Sequence, residues 1–83
     1  MDKKELIKIL GKFNKEEIIK FIKDYNNKQK DDWYDMFVDG YIGDGVYVSD
    51  LDFYDEALLE FLSRKSIDLE NIRFFNVKKY FKL

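Results

Sequence analysis

An 83-residue chain with 15 basic and 17 acidic residues, a net charge of −2, is long enough for one domain and leaves no room for a second. Its 46% hydrophobic content includes 8 Phe, 6 Tyr and 1 Trp, enough for one small core and too much for a disordered chain. With no Cys and no His, the sequence excludes Cys/His zinc sites, disulfide frameworks, thiol nucleophiles and imidazole bases.

Taken in chain order, Leu6, Ile9, Leu10 and Phe13 recur at helical spacing, and Gly11 weakens the last turn of this first helix. Asn14, with Glu17 three residues on, reads as a capping box that opens a second helix. Ile18, Phe21, Ile22 and Tyr25 share its apolar face, Glu16, Lys20 and Asp24 form a ladder opposite, and Asn26-Asn27 is the expected stop. A third amphipathic segment covers residues 29–39. Trp33, Met36 and Phe37 cluster on one side of it, and Asp31, Asp35 and Asp39 lie on the other, each four residues from the next. Asp44-Gly45, flanked by Tyr41-Ile42 and residues 46–48, is a hairpin signal.

Ser49, with Asp52 three residues later, is expected to cap a fourth helix buried through Leu51, Tyr54, Leu58, Phe61 and Leu62. Asp52, Glu56 and Glu60 lie four apart on its outer face, and Arg64 and Lys65 close it where the macrodipole favours cations. The tail reads two ways. Asp68 can cap a helix with Leu69, Ile72 and Phe75 inward, or Phe75, Val77, Phe81 and Leu83 can alternate along an edge strand. The expected fold is mainly α: a small single-domain bundle of four to five helices over residues 1–83 with a short β-hairpin. A small α+β arrangement, with residues 46–48 and the tail as strands, is the alternative.

Charge is the most informative feature. Residues 1–30 carry nine Lys and five acids, residues 31–60 ten acids and no base, and residues 61–83 six bases and two acids. A near-neutral chain is thus strongly polarised, and its acidic third also holds Trp33, Tyr34, Phe37, Tyr41, Tyr47, Phe53 and Tyr54.

This pattern argues against several chemistries. Gly40, Gly43 and Gly45 resemble a phosphate-cradling loop only in composition, because Asp39, Asp44, Asp50 and Asp52 around them would repel an anion. Asp50, Asp52, Asp55 and Glu56 offer oxygen ligands, but their spacing matches no EF-hand loop, so no metal and no cofactor is expected. Ser49, Ser63 and Ser66 have no imidazole to activate them, and a carboxylate pair needs a cleft that so short a helical chain rarely builds. The Lys-rich helices before Tyr25 could form a helix-turn-helix, yet acids dilute their field and the second helix has no Arg.

The acidic rows remain. Four helical residues rise about 6 Å, so Asp31/Asp35/Asp39 and Asp52/Glu56/Glu60 are expected to form two rows of regularly spaced carboxylates. Like charges at this spacing repel, so stability alone does not favour them. The expected function is a non-enzymatic acidic protein-binding module that occupies a basic, nucleic-acid-binding surface. A phage or mobile-element inhibitor of a host nuclease or defence complex is the setting this suits. Its expected contact residues are Asp31, Asp35, Asp39, Asp44, Asp52, Asp55, Glu56 and Glu60, with Tyr34, Tyr41, Tyr47 and Phe53. Direct nucleic-acid or membrane binding is not expected. No apolar run nears the ~20 residues of a membrane span, so the cytoplasm (the host's, if phage-encoded) is the expected compartment. Two alternatives stay open. One is an accessory subunit or homodimer held by Trp33, Phe53, Leu59, Phe74, Phe75 and Phe81; the other is a Lys-rich nucleic-acid-binding regulator.

Overall fold

The computed structural model describes residues 2–69 and 72–83. It is mainly helical, with four helices and one two-stranded antiparallel sheet. Helix α1 (Lys3–Leu10) starts where the Asp2 carboxylate accepts the Glu5 N–H at 2.9 Å, and it buries Leu6 and Leu10. Helix α2 (Lys15–Met36) starts at Asn14, whose Oδ1 accepts the N–H groups of Glu16 and Glu17 at 2.9 and 3.1 Å. The Glu17 carboxylate lies 4.0 Å from the Lys65 ammonium.

The long α2 sets the shape of the molecule. Its 22 residues rise about 33 Å, and the domain measures 42 × 22 × 22 Å. The radius of gyration, 14.2 Å, exceeds the roughly 12 Å of a rounder chain this long. Helix α3 (Tyr54–Arg64) runs antiparallel along the first half of α2. Phe53, at its start, donates its N–H to Asn26 Oδ1 at 2.8 Å; at its end Arg64 lies over the Phe21 ring and Lys65 near Glu17. Helix α4 (Val77–Phe81) closes the same end of the molecule, its N-cap formed by Asn76 Oδ1 accepting the Lys79 N–H at 2.9 Å.

The core therefore sits at one end of the long axis. Leu6 and Leu10 of α1, Ile18 and Ile22 of α2, and Ala57, Leu58, Phe61 and Leu62 of α3 pack with Ile72, Phe75, Val77 and Phe81. Phe61 meets Phe13 and Phe21 edge-on, each at 5.5 Å between ring centroids. Beyond Asn26, α2 runs past the start of α3, and its last turns pack against the short 3-10 turns before and after strands β1 (Tyr41–Gly43) and β2 (Val46–Tyr47).

Several sequence expectations are corrected here. Asn26-Asn27 does not stop a helix, because Asn26 is buried and spends its carboxamide oxygen on Phe53, so the expected second and third helices are one. That helix ends at Met36, where Phe37 turns extended to stack on Trp33 at 5.6 Å. Ser49 caps nothing: it lies inside a 3-10 turn (Val48–Asp50), and α3 begins five residues later with no side-chain cap. In the tail a helix forms, capped by Asn76 rather than Asp68. Val77 and Phe81, which suggested strand alternation, are four apart on its buried side.

A candidate protein-binding surface at the hairpin end

Beyond the main core a small second cluster holds the hairpin end together. Val48 is fully buried, and Trp33 packs between Phe37 and Phe53, 5.6 and 5.7 Å away by ring centroid. On this base the chain reverses twice. Asp39 and Gly40 both take positive φ, and a Cβ on Gly40 would lie 2.6 Å from the Tyr34 ring, so the close approach and the backbone both favour glycine. Asp44 and Gly45 also have positive φ (52° and 79°), as a two-residue hairpin connection of the I′ type requires. Tyr41 pairs with Tyr47 across the hairpin, their rings 5.1 Å apart, and the Tyr41 hydroxyl accepts the Gly45 N–H at 3.2 Å. Asp50 anchors the exit by accepting the Tyr47 N–H at 2.9 Å.

What this end exposes is both acidic and apolar. Asp31, Asp35, Asp39 and Asp44 are all exposed, and Tyr34, Tyr41 and Tyr47 keep 45–46% of their surface open among them. Residues outside the expected contact set lie here too: Asp32, Met36 at 65% exposure, Val38 at 84% and Val46. Helical periodicity puts Met36 on the Trp33 side, and only the helix end at Met36 frees it. Residues 31–53 carry seven Asp and no Lys or Arg.

The two regular rows of carboxylates do not form as expected. Asp39 lies beyond the end of α2 and Asp52 before the start of α3, so each row keeps only two helical members, Asp31/Asp35 and Glu56/Glu60. Glu60 is joined to Arg64 at 3.1 Å. Glu56 and Glu60 border the seam between α3 and α2, where burial first, then these two carboxylates, raise the Tyr25 hydroxyl pKa above its ordinary value. Phe53, expected at a partner contact, is buried against Trp33. The aromatic interface of the accessory-subunit alternative is also not assembled: Phe75 and Phe81 are core residues, Trp33 and Leu59 are half-buried, and Phe74 is exposed.

Asp52 and Asp55 belong to a different place. They line a cleft of about 390 Å³ together with Tyr54, Arg73, Phe74 and Lys78, so the basic tail faces this part of the acidic third. Partial burial, and secondarily the Asp52 charge, push the Asp55 carboxyl above the usual carboxylate range. Its neutral form is the one the fold favours. Asp55 therefore contributes stability below the ordinary carboxylate value that is lost as pH rises through its raised pKa. Asp52→Asn should lower the Asp55 midpoint without restoring it fully, because burial remains; a carboxylate titration followed by NMR reads this directly.

Among the described residues no group of three or more acidic side chains is placed to hold a metal ion, and no helix is long and apolar enough to cross a membrane. No protein-family model matches the chain, and no curated protein or solved structure shows significant similarity to it.

Proposed function

We propose that this protein is a non-enzymatic binding module whose hairpin end occupies a basic surface on a partner protein, in the place nucleic acid would take. The observation that supports this reading is the coincidence, at one end, of six exposed Asp between residues 31 and 50, with Lys30 at their edge 3.5 Å from the Ser49 carbonyl oxygen, and of exposed Tyr34, Met36, Val38, Tyr41, Val46 and Tyr47. The two kinds of group suit different tasks. Carboxylates steer a basic partner in and fix its orientation, while rings and aliphatic side chains supply the contact that water leaves. The backbone under them is tied by the Trp33 cluster and the hairpin, so little order has to be gained on binding. In its narrower form the proposal is an inhibitor, encoded by a phage or mobile element, that masks the nucleic-acid-binding face of a host nuclease or defence complex.

The test is capture with the tagged protein followed by elution with duplex DNA. The expected result is a captured protein that DNA releases and that a variant carrying Asp31→Lys, Asp35→Lys and Asp44→Lys fails to retain. A captured partner indifferent to both DNA and the substitutions contradicts the proposal.

A further inference from the structure

The end of the long axis opposite the hairpin is charged in the other sense. Residues 72–83 carry four bases and no acid, two of them (Arg73 and Lys78) beside Asp52 and Asp55, and residues 2–17 carry five Lys against four acids. There Lys3, Phe75, Asn76, Lys79 and Tyr80 line an open cleft of about 280 Å³, and the Lys15 ammonium lies 5.5 Å from the centre of the Tyr80 ring. The ion pairs among the described residues, Arg64–Glu60 and Lys65–Glu17, involve none of these three lysines. Lys15 opens α2 and Met36 ends it, so this cleft and the hairpin stand about 30 Å apart.

We infer that the basic cleft of one molecule receives the acidic hairpin end of a second copy, so that the protein associates head to tail. The inference rests on the hairpin end being a binding surface for bases and names one such partner. Charge complementarity decides the geometry. A two-fold contact through the hairpin ends would set six Asp against six, and one through the basic ends would oppose two sets of lysines. The heterologous contact sets opposite signs together and brings Tyr41, Val46 and Tyr47 toward a cleft floored by Phe75 and Tyr80. Because donor and acceptor surfaces lie at opposite poles of a 42 Å axis, a single contact leaves one head and one tail free, so further copies add to an end-to-end pair. The net charge of −2 leaves little overall repulsion to oppose it.

Sedimentation of the intact protein over a wide concentration range tests this, at about 0.1 M and about 1 M salt, where the Debye length falls from about 10 Å to about 3 Å. The expected result is a mass that rises with concentration at the lower salt and returns to the 10.1 kDa monomer at the higher. Two charge-reversed variants make the contact specific: Asp31→Lys with Asp35→Lys removes the head, and Lys3→Glu with Lys79→Glu removes the tail. Each alone should stay monomeric, and a mixture should associate, since an intact head then meets an intact tail and the reversed head and tail again carry opposite signs. A monomer at every concentration in low salt overturns the inference. So does association that survives 1 M salt or persists in either variant alone. The tail variant keeps the hairpin end intact, so its retention of a DNA-releasable partner separates failure of this inference from failure of the proposed function.

Discussion

Leu58→Ala should destabilise the domain by about 2–5 kcal/mol, the usual cost of removing a fully buried leucine and leaving part of its cavity. Leu58 has no exposed surface and sits on α3 within the cluster that also holds Ile18, Ile22 and Leu62. A chain of 83 residues has roughly 4–12 kcal/mol of net stability. The loss is therefore a large share of the total, and the thermal midpoint should fall by ten degrees or more, at about 4–8 °C for each kcal/mol. Leu59→Ala, at the half-buried neighbouring position, should cost clearly less. Equal effects at the two positions would mean that α3 does not present the face described here.

Asn26→Ala should cost about 1–3 kcal/mol, because it leaves the buried Phe53 N–H without an acceptor. Phe53 is the first residue before α3 and has no side-chain cap of its own, so Asn26 supplies from α2 what the local sequence lacks. The same contact fixes where the two helices meet and where the hairpin end begins. Asn27→Ala is the control: Asn27 is exposed one residue away, and its loss should stay within about 0.5 kcal/mol. Urea unfolding followed by circular dichroism separates the two. If Asn26→Ala behaves like Asn27→Ala, the Phe53 N–H has another acceptor and the latch is not structural.

Local patterns made much of the fold legible. The apolar spacing of Leu6/Leu10, Ile18/Ile22 and Leu58/Phe61/Leu62 identifies three core faces that the fold buries, and Asp44-Gly45 turns where its chemistry predicts. The largest error comes from contact between residues distant in sequence. Asn26-Asn27 reads as a helix stop until Phe53, 27 residues on, is seen to bond Asn26. Phe37 leaves the helix at a point that periodicity does not mark, and its ring stacks on Trp33.

At the candidate site, the acidic third was visible as composition, but composition says nothing of what faces it. Glu60 meets Arg64, and Asp52 and Asp55 share a cleft with Arg73 and Lys78, so the acidic surface that remains is the hairpin part, with Lys30 at its edge. Met36 and Val38 were hidden for the opposite reason: their exposure follows from a helix end that periodicity alone does not mark.

The hairpin end is tested most directly by the association rate of the captured partner with the intact protein and with the Asp31→Lys, Asp35→Lys, Asp39→Lys and Asp44→Lys variants, read against ionic strength. All four positions are exposed; Asp31→Lys and Asp35→Lys should leave the thermal midpoint nearly unchanged, whereas Asp39→Lys and Asp44→Lys, at positive φ, should lower it. The combined variant should associate about tenfold more slowly or worse near 0.1 M salt, with the difference shrinking as screening increases. Unchanged rates and affinities across the whole set, at every salt concentration, would reduce the acidic end to a solvated surface.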